Sequence, residues 1–112
     1  MTLEVVVKSE GADPVIELSG RIVDVDVKKI QRRLDEFYKD KKCARIVLDV
    51  THAEFIDSHG LGVVVYFHTL MQKDKRSFVI VNGNPDKNAY LNRLFELTNL
   101  DKVLNIVAKL EG

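Results

Sequence analysis

The chain has 112 residues, 46% hydrophobic and 30% charged, with 17 basic side chains against 17 acidic ones. That is the length of one domain and enough to bury a core without staples, so residues 1–112 are read as a single domain. The cancelled charge argues against nucleic acid as a ligand, since a phosphate backbone calls for a basic excess. A lone cysteine, Cys43, excludes an internal disulfide and speaks against a Cys-based zinc site. The longest apolar run, Val63–Phe67, falls far short of the ~20 residues of a membrane span. Met1-Thr2-Leu3-Glu4 lacks the layout of a secretory signal. A cytoplasmic protein with no membrane partner is expected.

Leu3–Ser9 is rich in β-branched residues and predicts a strand. Glu10–Pro14 supplies turn residues, and Val15–Leu18 predicts a second strand that stops at Ser19-Gly20. The short link points to a hairpin. Val27, Ile30, Leu34, Phe37 and Tyr38 lie on one helical face, so a helix is expected from Asp26 to about Asp40. Asp24 or Asp26 is its expected N-cap. Its many lysines and arginines suit a solvated face.

Ala44–Val50 predicts a short buried strand, followed by a polar connection over Thr51–His59. Val63–Phe67 has strand propensity, but the unbroken stretch Leu61–Lys73 is too long for a typical strand. A buried helix starting just after Ser58 fits better, with Tyr66, Phe67 and Met71 packed inside. Ser77–Asn82 predicts a strand, Gly83–Asp86 a turn with Asp86 as a cap, Lys87–Leu97 a helix, and Val103–Val107 a last strand. Strands alternating with helices imply an α/β fold with at least one parallel pair, in a mixed sheet of about four or five strands.

The most unusual stretch is Phe55-Ile56-Asp57-Ser58-His59-Gly60-Leu61-Gly62. It places a hydroxyl between a strand and a helix, where unpaired N–H groups and the dipole favour an anion. Gly60 and Gly62 lack side chains, so another chain or a phosphate can approach. The plainer reading is a capping serine and two packing glycines. Thr51 is a second hydroxyl beyond the same strand, read as a strand-end residue.

Asp57-Ser58-His59-Gly60-Leu61-Gly62 resembles the D-S-[ST]-G-[LV]-G motif of STAS domains, in particular the bacterial anti-sigma factor antagonists. Ser19-Gly20, Ile46–Val50 and Leu94–Val103 extend the resemblance over nearly the whole chain. It implies a regulatory binding protein rather than an enzyme. Ser58 would be phosphorylated by a partner that is both an anti-sigma factor and a serine kinase. Phosphorylation would end binding, and a serine phosphatase would restore it. Asp57, His59, Gly60, Leu61 and Gly62 would face the partner, with Arg21 and Asp24 beside them. The alternative within this fold is a non-signalling STAS accessory subunit, for example of a lipid transporter.

Two departures from the family pattern stand out. Position 59 is His where Ser or Thr is usual. The family's G-E-L-D reads Gly20-Arg21-Ile22-Val23 here, with Asp24 one place later.

Asp57, Ser58 and His59 also have the residue types of a hydrolase triad. Side chains of sequence neighbours diverge, however, and no G-x-S-x-G is present, so catalysis is not expected. His52, His59 and His68 match no metal motif, and Gly60-x-Gly62 is too little for a dinucleotide site. No cofactor is expected.

Overall fold

The computed structural model describes residues 3–8, 13–83 and 89–109. Its elements run β1 (Glu4–Val7), β2 (Val15–Ile22), α1 (Asp24–Lys39), β3 (Arg45–Ile56), α2 (Ser58–Lys73), β4 (Ser77–Val81), α3 (Ala89–Leu97), a 3₁₀ turn (Leu100–Lys102) and β5 (Asn105–Val107). Five strands form one mixed sheet in the order β1-β2-β3-β4-β5. β1 and β2 are an antiparallel pair, as the hairpin reading requires. The three other pairings are parallel, each spanned by one helix. Ser9 and most of the predicted hairpin turn, the turn residues Asn84–Asp86 with their cap, and the start of the helix predicted from Lys87 lie outside the described residues.

Alternation along the strands builds the core. Val7, Ile16, Leu48, Ile80 and Ile106 fall in one register row across all five strands. Their face of the sheet shares a cluster with Val27, Ile30 and Leu34 of α1 and with Val63, Val64, Phe67 and Met71 of α2. Leu91 and Phe95 of α3 join it. Val47, Val79 and Val81 form a smaller cluster with Val15 and Val107, made of strand residues alone. Cys43 is buried in the main cluster, and burial pushes its thiol pKa up. No described helix is long and apolar enough to cross a membrane.

Three expectations need correcting. β2 does not stop at Ser19-Gly20 but runs on to Ile22. β3 does not end at Val50; it continues through most of the presumed polar connection to Ile56. For β3 the cause is visible in the register. Glu17 pairs with Asp49 but Ser19 with His52, and Gly20 pairs with Ala53 but Arg21 with Phe55. Each step inserts one extra residue into β3, a β-bulge. The buried positions Val50, Ala53 and Ile56 are therefore three apart, and the period-2 signal disappears. Gly20 has a positive φ of 91° within this irregular stretch, a conformation that favours glycine. Third, Tyr66 is not packed inside but 56% exposed.

The valine-rich segment is helical because its ends and one face demand it. Asp57 caps the start, and Val63, Val64, Phe67 and Met71 follow i, i+1, i+4, i+8 spacing toward the core. Burial of that face overrides the weak preference of valine for strands.

Candidate functional site

β2 and β3 are parallel, so their C-terminal ends lie side by side, with Ile22 opposite Ile56. α1 starts two residues beyond Ile22 and α2 two residues beyond Ile56. Two helix N-termini, each with free N–H groups and a positive dipole end, thus open at the same edge of the sheet. In parallel sheets this is the edge at which binding sites collect.

Asp57 joins the two helices. Its backbone N–H donates to Ile22 O at 3.0 Å, continuing the ladder. Its Oδ1 accepts from the Gly60 N–H at 2.8 Å, capping α2. Its Oδ2 accepts from the Asp24 N–H at 2.8 Å, capping α1 from 33 residues away. The expected local cap of α1 is therefore replaced: Val23 occupies the N-cap position without a side-chain bond. Both Asp57 oxygens are engaged within the fold.

Ser58 is the first residue of α2, one place past the cap, and is exposed. Gly60 N–H goes to Asp57 Oδ1 and Leu61 N–H to Asp57 O. The N–H groups of Ser58 and His59 have no protein acceptor among the described residues. His59 Nδ1 meets Asp24 Oδ1, so a second link crosses between the helices.

The two glycines differ in kind. Gly60 is buried, and a Cβ there would lie 2.8 Å from Ile56 Cγ1 and 2.9 Å from Ile22 Cγ2. It lets α2 sit down on the paired strand ends, so the open approach expected at Gly60 does not exist. Gly62 is exposed, and a Cβ there would meet nothing within 4 Å. The fold has no use for a glycine at position 62, where alanine would favour the helix by about 1 kcal/mol. Gly60→Ala is expected to destabilise by about 1–3 kcal/mol. Gly62→Ala is expected to stabilise by about 0.5–1 kcal/mol. Urea unfolding of the two variants checks these opposite signs.

Ser58, Gly62 and Tyr66 follow i, i+4, i+8 and form one exposed stripe of α2. With His59, Val63 and Gln31 of α1 they line an open depression of about 440 Å³. Val25, 82% exposed, lies in the first turn of α1. Gln31 carries no signal in the sequence, and Tyr66, expected inside, stands on the surface. The stripe spacing through Ser58 and Gly62 was the signal that places Tyr66 outside.

Arg21 is exposed at the end of β2; its guanidinium lies 4.5 Å from the Phe55 ring centroid, and Phe55 stacks on Tyr90 at 5.3 Å. Leu61 is half-buried against the core. Thr51 Oγ1 accepts from the Gly83 N–H at 2.8 Å, tying that hydroxyl to the β4 end. The basic residues of α1 include three paired along the helix, Lys29 with Asp26, Arg33 with Glu36 and Lys39 with Asp35. His68 stands ten residues along α2 from Ser58, about 15 Å at helical rise.

A five-stranded mixed sheet with this strand–Ser–helix junction defines a class, and the family comparison agrees with it. The STAS domain model matches residues 4–112, and the chain belongs to that family. An anti-sigma-B factor antagonist from Listeria monocytogenes is 32% identical over 108 residues, spanning 95% of this chain and 90% of that protein. In structure the chain resembles an anti-sigma factor antagonist from Mycobacterium paratuberculosis, with a TM-score of 0.81, 23% identity, and coverage of 97% of this chain and 88% of that one. It also resembles the phosphorylated form of the Bacillus cell fate determinant SpoIIAA, with a TM-score of 0.71, 16% identity, and coverage of 93% and 91%.

Proposed function

We propose that this chain is an anti-sigma factor antagonist switched at Ser58. Unmodified, it binds a cytoplasmic partner that is both an anti-sigma factor and a serine kinase. Phosphorylation of Ser58 releases the partner, and a serine phosphatase resets the cycle. The 112 residues act as one STAS domain. The name carried by the Listeria relative supports the antagonist part of this reading.

The observation that carries the switch is the exposed Ser58 at the first position of α2, with Gly62 and Tyr66 on the same stripe. A phosphoryl group adds about −1.5 to −2 charges. The free N–H groups and dipole of the first turn tolerate that charge within the domain. A partner laid over Gly62 does not, because it would bury the group without compensating donors. Gly62 has no packing role of its own, as expected for a place where a partner's atoms come close.

The test is to incubate the protein with ATP and the anti-sigma kinase from the same genome, then map the phosphate by mass spectrometry. Phosphate on Ser58, lost in Ser58→Ala, supports the reading. A kinase that binds the chain yet leaves Ser58 unmodified overturns it and favours a non-signalling adaptor.

A further inference from the structure

The two departures from the family pattern meet in one contact. His59 stands where Ser or Thr is usual, and Asp24 stands one place later than the usual acid; their side chains touch, Nδ1 to Oδ1, across 35 residues. Asp24 also donates its backbone N–H to Asp57 Oδ2 at 2.8 Å. Both chain neighbours of Ser58 are therefore held by a single residue of α1, one through its backbone and one through its carboxylate.

We propose that Asp24 and His59 form a latch that positions Ser58 for phosphoryl transfer, with Asp24 as the positioning residue. This rests on the reading of Ser58 as the phosphoacceptor. In the transfer the Ser58 Oγ–P bond forms as the bond from the γ-phosphorus of ATP to its β-bridging oxygen breaks, ADP leaves and the hydroxyl proton passes to a base of the kinase; the hydroxyl attacks productively only within a narrow range of distance and direction. Ser58 and His59 lie in the first turn of α2, which Asp57 closes through the Gly60 and Leu61 N–H groups, while the N–H groups of Ser58 and His59 themselves have no acceptor among the described residues. The Asp57 bonds fix the flank before the serine. The His59–Asp24 contact fixes the flank after it. The latch is local. The side chains of His59 and Asp24 are 46% and 81% exposed, and exposed pairs of this kind contribute little to global stability. A variant that breaks it keeps its fold, because the Asp24 N–H that Asp57 accepts belongs to the backbone.

The test compares wild type with Asp24→Ala, His59→Ala, the double variant and Asp24→Asn under the same kinase and ATP. Asp24→Ala and His59→Ala are expected to lower kcat by about tenfold or more, a larger change than in KM for the protein, with the thermal midpoint unchanged. The double variant is expected to lose no more than either single one, since both remove the same contact. Asp24→Asn keeps a carbonyl oxygen for the His59 Nδ1–H and is expected to recover most of the rate. Loss spread equally over KM and stability, or an additive double variant, overturns the latch.

Amide exchange gives a readout that needs no kinase. The Gly60 N–H, on the same turn, is expected to exchange at least about threefold faster in Asp24→Ala. If wild type is not phosphorylated at all, the function proposed above fails, and exchange still decides the latch. Exchange and kcat both unchanged refute it.

Discussion

A Ser58→Asp variant is expected to melt within a few degrees of wild type and to bind the anti-sigma partner at least about a hundredfold more weakly. The two halves of this result come from the two sides of the same residue. Toward the domain, position 58 is the first of α2, and its N–H and that of His59 have no acceptor among the described residues. A carboxylate in a first turn is favoured by about 0.3–1 kcal/mol. The cap is untouched, because Asp57, not Ser58, accepts from Gly60. Toward the partner, the same carboxylate stands at the head of the stripe formed by Ser58, Gly62 and Tyr66. Covering it removes a charge from water with no paired cation, a penalty of several kcal/mol per ion. Since 1.4 kcal/mol is about tenfold, a hundredfold loss needs only about 3 kcal/mol of it. Calorimetric titration with the purified partner, beside a thermal melt, reads both quantities. Ser58→Ala serves as the control and is expected to bind like wild type. Unchanged affinity in Ser58→Asp would mean that the partner does not cover this residue, and the switch would have to lie elsewhere.

What sequence reading reaches and what it misses divide along local and non-local physics. Ser58 at a strand-to-helix junction is legible because a strand, a short polar break and a long unbroken segment lie next to one another in the chain. The pairing of Asp57 with Asp24, and of His59 with Asp24, spans 33 and 35 residues. It depends on β2 and β3 ending side by side, which no local pattern states. β3 reads too short because the bulges move its inward positions from every second residue to every third, whereas β2 keeps its alternation to Ile22 and reads short only because Ser19-Gly20 look like turn residues. Gly60 and Gly62 look alike in the motif; one is buried against Ile22 and Ile56 and the other stands open. Only the turn of the helix separates them. Tyr66, expected inside, stands outside for a related reason: a run of Val63, Val64, Val65, Tyr66 and Phe67 is apolar throughout, yet a helix can turn only part of it inward.

The largest loss of stability is expected from a residue that carries no signal in the sequence. Arg76→Ala should cost about 2–4 kcal/mol, or roughly 10–20 °C in thermal midpoint for a domain of this size. Arg76 follows α2, and its side chain is only 10% exposed. Its guanidinium donates to Tyr38 O at 3.0 Å, Cys43 O at 3.2 Å and Asp40 O at 3.3 Å, and pairs with Asp74 Oδ2 at 2.9 Å. It also lies 4.7 Å from the Tyr38 ring centroid. Tyr38 and Asp40 stand at the C-terminal end of α1, where carbonyls lack helical partners and the dipole end is negative. One planar cation thus ties the turn after α1 to the turn after α2. Arg76→Lys is expected to recover less than half of the loss, because an ammonium cannot address three carbonyls and a carboxylate from one plane. The hydrogen bond from Arg76 holds the Asp74 carboxyl below its usual pKa. A carboxylate with a depressed folded-state pKa contributes stability above its unfolded pKa of about 3.9, lost as pH falls through the folded value. Wild type should therefore shed this contribution in strong acid, while Arg76→Ala, already without it, should show a flatter decline. Urea unfolding at neutral pH and at pH values below the carboxylate range separates the two. A variant as stable as wild type at neutral pH would show that the guanidinium merely rests on these carbonyls without holding the turns together.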